Sequence, residues 1–313
     1  MKLAEKVLLT REEAKLASSV ATERADCLAI DSHEHYRKAL RPHCFEFVEH
    51  LMGHAFAKKP KSGSNNSSRN KVLLRELLTY KTALPVEYGS SIFVRADQGR
   101  SDLLRAQILG PEDTPYANGC FVFDIWLPPQ YPNKPPEVKF LTTGGGKYRM
   151  NPNLYNCGKG RCRFCCSADC DSLVTRELSI LLILRNSMLQ TNHLAFFYLL
   201  ITVCLSLLGT WSGPGWQSGE STLLQVLISI QSLIFVPDPY FNEPGYQSSQ
   251  GTSHGKKASD SYNANIRMYT TSAGIVPFLK ASNSDGGEQP NPEFPNCKTL
   301  RVKAVPSTTA IVS

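Results

Sequence analysis

The sequence predicts an α+β fold, on three observations. Residues 72–84 and 221–235 carry apolar side chains at helical spacing, four segments between them have strand chemistry, and short turn-forming links join those four segments. Short links between consecutive strands favour an antiparallel meander over parallel β-α-β units. A chain of 313 residues allows one or two domains. With 42% hydrophobic and 19% charged residues it can bury a sizeable core, which excludes a wholly disordered protein.

Residues 1–57 have mostly helical periodicity, interrupted near Asp31 and at Arg41-Pro42, so 1–58 is expected to be a helical N-terminal extension. The Ser-, Asn- and Gly-rich stretch 59–71 reads as a solvated linker and the best domain boundary. A short helix over 72–84 turns Val72, Leu73, Leu77 and Leu84 to one side. The period then changes, and 90–97, 103–110, 120–127 and 137–141 read as strands, with Phe121, Phe123 and Ile125 alternating with Val122, Asp124 and Trp126. Their links hold Asp97-Gln98-Gly99, Gly110-Pro111-Glu112-Asp113 and Pro128-Pro129. Gly144-Gly145-Gly146 lacks the Lys-Ser/Thr ending and the following helix of a phosphate loop, and is expected to be a turn. The helix over 221–235 has capping-box spacing at Thr222 and Gln225 and stops before Pro237. From 271 to 313 the chain is expected to be an irregular tail, disordered over 282–296.

Charge points to no particular partner. The excess of 34 Lys and Arg over 27 Asp and Glu is mild, and one short stripe (Lys58, Lys59, Lys61, Arg69, Lys71) does not make a nucleic-acid surface. No apolar core follows Lys2, so a secretory signal is not expected, and a cytoplasmic or nuclear protein is. The ten cysteines then read as core, metal or catalytic residues rather than disulfides. His33, His35, His43, Cys44, His50 and His54 cluster loosely, with His50 and His54 on one helix face, but lack regular ligand pairing; no metal or cofactor is expected there.

Tyr131-Pro132 with Pro135-Pro136, then Asn151-Pro152-Asn153, then Val203-Cys204-Leu205-Ser206-Leu207-Leu208, together resemble the core of ubiquitin-conjugating enzymes. The stretches 108–132, 151–159, 203–211 and 239–246 resemble the large branch of that family that includes BRUCE-like proteins and hybrid conjugating enzyme–ligases. The resemblance covers about 84–159 and 203–270. It implies a UBC fold over 72–270: an N-terminal helix, a four-stranded antiparallel meander, a catalytic loop and C-terminal helices. It also implies ubiquitin, its activating enzyme, and a ligase or substrate protein as partners. Two departures stand out. The family's His-Pro-Asn reads Asn151-Pro152-Asn153. The family's nucleophile follows the Asn by eight residues, whereas Cys204 follows Asn153 by 51; omitting 160–202 restores the family spacing.

Ubiquitin conjugation is two acyl transfers. An exposed thiolate takes the ubiquitin carbonyl from the activating enzyme's thioester, which needs no strongly activating base. A lysine amine then attacks the new thioester, which calls for an amide donor at the developing oxyanion and a carboxylate to orient the amine. By resemblance, Cys204 is the nucleophile, Asn153 the oxyanion donor and Glu243 the acidic gate residue. Each position also has a plain structural alternative: a small buried hydrophobe for Cys204, an Asx-turn residue for Asn153, an exposed loop carboxylate for Glu243. Cys120 and Cys157 read as structural. A Cys–His hydrolase pairing Cys204 with His193 or His254 has no local signature.

The segment 160–202 supports three expectations. Cys162-x-x-Cys165, followed by Cys166 and Cys170, is half of a zinc signature with no second pair at the usual distance. The apolar run Leu194–Leu208 is shorter than the ~20 residues a membrane helix needs, so no membrane span is expected. The preferred expectation is a translated intron that kept the reading frame. An insert in an active-site loop opens the alternative of a catalytically disabled conjugating-enzyme-like binding module.

Overall fold

The computed structural model describes residues 33–61, 67–155, 201–203, 205–209 and 215–280. Its centre is the expected meander: β3 (Ser90–Asp97), β4 (Leu103–Leu109), β5 (Cys120–Trp126) and β6 (Glu137–Phe140), each antiparallel to the next. The register builds apolar rows across these strands, Val94 opposite Ala106, Phe123 and Phe140, and Ala96 opposite Leu104, Ile125 and Val138. These rows face the principal core, where Phe235 stacks on Phe121 at 4.5 Å. Beyond β6 lie β8 (Ile201–Val203) and then β7 (Leu154–Tyr155), and the pair β2 (Val86–Glu87) adds to β3.

Helices cover the inner face. Residues 33–40 form α1, Ser67–Ala83 form α2, and Leu223–Ser229 form α3, which continues as a wider turn over Ile230–Ile234. The Thr222 side chain accepts from the Gln225 N–H and the Gln225 side chain accepts from the Thr222 N–H, so the expected capping box is formed in both directions. Glu76 of α2 joins these helices: its carboxylate accepts from Tyr131 Oη at 2.6 Å and from the Leu223 N–H at 2.9 Å. α4 spans Ser253–Tyr269 and runs through Thr270–Ile275 into α5, Val276–Lys280.

Several local expectations give way to tertiary contacts. Residues Phe45–Val48, in the stretch expected to be helical, form strand β1, parallel to β3 at the sheet edge. Their aromatic and β-branched side chains suit that position, and Glu46, opposite Arg95 in the register, pairs with it at 3.1 Å. The boundary expected at 59–71 does not separate two cores, because Tyr36, Leu40, Cys44 and Phe45 share the apolar cluster of Leu73, Leu77 and Tyr80. Helix α2 begins at Ser67, inside the expected linker, and Arg69 is buried, donating to the Leu127 and Pro128 carbonyls. Val72 is 43% exposed and Tyr80 takes its place in the core. Residues 271–280 are helical rather than irregular, packed where Gly274 meets Gly119 and Cys120. The stretch 282–296 lies outside the described residues.

The sheet's outer face carries a polar row that is buried at Arg95, Arg105 and Asp124. Arg95, Arg105, Asp124 and Lys139 stand opposite one another in a single row. A strap over 49–59 crosses this face and seats Leu51 and Phe56 against Leu103 and Trp126. It meets the polar row with matched groups. The Leu51 N–H donates to Asp97, the Ala55 N–H donates to Asp124 at 2.7 Å, and the Met52 carbonyl accepts from Arg105. Arg105 and Asp124 form a two-pronged pair at 2.6 and 3.0 Å. His50 and His54 do not share a helix face, since 51–59 runs as turns. His54 is fully buried; its Nδ1 accepts from the Phe56 N–H, so Nε2 carries the proton and donates to the Leu104 carbonyl at 2.9 Å.

Candidate active site

The loop 149–155 is built on Asn151. This side chain is fully buried, and all its hydrogen-bonding capacity is used. Its Nδ2 donates to Tyr116 Oη at 3.1 Å and to the Ile234 carbonyl at 2.8 Å; its Oδ1 accepts from the Asn153 N–H at 2.8 Å and from Asn242 Nδ2 at 3.4 Å. Tyr116 completes the hub by donating to the Met150 carbonyl at 2.7 Å. Its short loop depends on Gly110, where a Cβ would lie 1.8 Å from the Tyr116 carbonyl oxygen. Asn151 therefore holds the end of α3's extension, the β4–β5 loop and its own loop in one arrangement. The Asx-type bond considered for Asn153 is made by Asn151 instead, with Asn153 as the residue held.

Asn153 leads directly into β7. Leu154 pairs with Val203 and Tyr155 with Thr202, and both Leu154 and Val203 are fully buried. The antiparallel register lays the chain leaving Asn153 against the chain entering position 204. Cys204 itself lies outside the described residues; on its far side Leu205 is buried and a 3-10 turn over Ser206–Leu208 closes onto Gly209. Asn153 Oδ1 is buried and has no hydrogen-bond partner among the described residues.

Glu243 follows the 3-10 turn Pro239–Asn242. Its carboxylate pairs with Arg149 Nη2 at 3.1 Å, and the same nitrogen donates to the Pro152 carbonyl at 3.2 Å. α4 steadies this turn from behind, through Ser259 to Asp238 and Asn263 to the Pro237 carbonyl. Tyr262, also on α4, has its phenol pushed up to about 12, first by burial and then by the Glu243 charge, against the opposing effect of Arg149.

Other sequence candidates fall elsewhere. Among the described residues no group of three or more His, Cys, Asp or Glu is placed to hold a metal ion, and no helix is long and apolar enough to cross a membrane. Cys157, Cys162, Cys165, Cys166, Cys170 and His193 lie outside the described residues. Cys120 is buried at the start of β5. Cys44 is buried and donates weakly to the Tyr80 and Lys81 carbonyls, and burial pushes its thiol up.

The family profile described as ubiquitin-conjugating enzyme matches residues 80–163. Over 225 residues, 71% of this chain, the sequence is 41% identical to the human dual E2 ubiquitin-conjugating enzyme/E3 ubiquitin-protein ligase BIRC6. The chain is a member of the ubiquitin-conjugating enzyme family. Further relatives are a probable ubiquitin-conjugating enzyme of Caenorhabditis elegans, 41% identical over 68% of the chain, and a putative one of Arabidopsis thaliana, 37% identical over 75%. The chain spans 4% of the human relative, 24% of the worm relative and 58% of the plant one.

Sequence reasoning alone did not single out Arg149, Tyr116 or Asn242. Asn151 carried a signal, as a departure from the family's His, and its fourfold bonding is the physical content of that change. The segment 160–202 also needs a different boundary: Ile201 and Thr202 belong to the sheet, where they pair with Phe140 and Lys139, and residues 156–200 lie outside the described residues.

Proposed function

We propose that this chain accepts ubiquitin as a thioester on Cys204 and transfers it to a substrate lysine. The Cys204 thiolate attacks the carbonyl of the thioester that links ubiquitin to its activating enzyme, and the activating enzyme's thiolate leaves. A lysine amine then attacks the Cys204 thioester; it loses a proton, the Cys204 thiolate leaves, and an amide remains. Asn153 donates to the oxyanion of this second step, and Glu243 orients the amine. Ubiquitin, its activating enzyme, and a ligase or substrate protein are the partners, in the cytoplasm or nucleus.

The observation that carries this reading is the Leu154–Val203 pairing, which supports Asn153 and position 204 as neighbours across a long gap in sequence. Incubation with activating enzyme, ATP and ubiquitin, followed by a non-reducing gel, tests it. A reductant-sensitive adduct that is lost in Cys204→Ala supports transfer. A second reading, a conjugating-enzyme-like binding module with a disabled site, draws on the family match ending at residue 163, inside the extra segment. An intact chain that forms no adduct, with an adduct appearing once 160–200 is deleted, favours that module.

A further inference from the structure

We infer that Arg149 is a positioning residue for the lysine-transfer step, fastening Glu243 to the loop that carries Asn153. This role presupposes the transfer activity proposed above. One guanidinium nitrogen, Nη2, reaches both the Pro152 carbonyl at 3.2 Å and the Glu243 carboxylate at 3.1 Å. Pro152 and Asn153 share a peptide unit, and that unit is gripped at both ends. Its carbonyl accepts from Arg149, and its N–H donates to Asn151 at 2.8 Å. The plane from which the Asn153 side chain departs is therefore fixed by two partners. Asn242, the neighbour of Glu243, adds a second tie to the same loop through Asn151.

The chemistry suits geometry more than stability. The Arg149 and Glu243 side chains are 50% and 30% exposed, and ion pairs so accessible to water add little to folding. A planar guanidinium that donates to a carbonyl and a carboxylate still fixes the distance between two groups remote in sequence. In the transfer step those groups are the amide that meets the oxyanion and the carboxylate that meets the amine. Arg149 acts through both and touches neither reacting atom.

The test compares thioester loading with discharge to free lysine in the full chain. Arg149→Ala should slow discharge on the order of tenfold, short of the roughly hundredfold cost of misplacing a reacting group by 1 Å, and should slow it more than loading. The melting temperature should stay close to that of the parent. The double variant Arg149→Ala/Glu243→Gln should be no slower than the slower single variant, because both remove one link. Equal slowing of loading and discharge, or effects that multiply in the double variant, would overturn the inference. Should the parent take no ubiquitin, the transfer reading fails by itself, and amide exchange then decides the link. Glu243→Gln and Arg149→Ala should each speed exchange over 150–155; unchanged protection in either overturns it.

Discussion

Leu154 and Val203 are partners in one antiparallel ladder, both fully buried, with residues 156–200 between their strands in the chain. Closing a long loop costs little more than closing a short one, so the pairing tolerates the intervening segment. Deleting 160–200 leaves Ile201 to pair with Phe140 and shortens the loop roughly tenfold, a gain of about 2 kcal/mol at most. The expected outcome is a melting temperature equal to or above that of the parent. A drop of several degrees on thermal melting would mean that the segment supports the fold.

Asn151 should tolerate substitution poorly. Asn151→Ala leaves the buried Ile234 carbonyl and the part-buried Asn153 N–H without this partner. The expected loss is about 2–4 kcal/mol in urea unfolding, since buried orphan groups cost their full desolvation. Tyr116→Phe removes only the hydroxyl between Asn151 and the Met150 carbonyl and should cost about half as much or less.

Stability should fall on mild acidification through His54. Burial holds this imidazole below the ordinary value of 6.5, against the raising effect of Asp124, with Arg105 adding to the lowering. A group with a depressed folded pKa contributes stability that is present above its unfolded value and lost as pH falls through that value and toward the folded one. The urea midpoint should therefore drop between about pH 7.5 and about pH 5.5, with the 49–59 strap losing amide protection first. His54→Gln should lower the midpoint at the upper pH and flatten this part of the profile. A parent profile as flat as that variant's would dismiss His54 as the cause.

Asn153→Ala separates the two acyl transfers. The first exchanges one thioester for another, so loading of Cys204 should persist. Both pass through charge on the carbonyl oxygen, but the second has a weaker nucleophile and leans more on its stabilisation, and losing an oxyanion donor typically costs about 10²–10³ in rate. Single-turnover discharge to lysine, measured beside loading, checks this; equal loss in both steps would assign Asn153 to holding the loop instead.

Much of the fold was legible because it is written in local chemistry. Strands β3 to β6 follow from period-two patterning between turn residues, and the start of α3 follows from Thr222 and Gln225, three residues apart. The motifs at 131–136, 151–153 and 203–208 were enough to place the chain among conjugating enzymes. What the local pattern could not carry was decided by partners remote in sequence. Phe45–Val48 pairs as a strand because β3 offers an edge, and Arg69 is buried because the Leu127 and Pro128 carbonyls need a donor. His54 is held neutral first by its burial beneath the strap, which outweighs the Asp124 charge beside it. Arg149 meets Glu243 across 94 residues, and no spacing rule anticipates a contact that exists only once α4 has set the turn beside the loop.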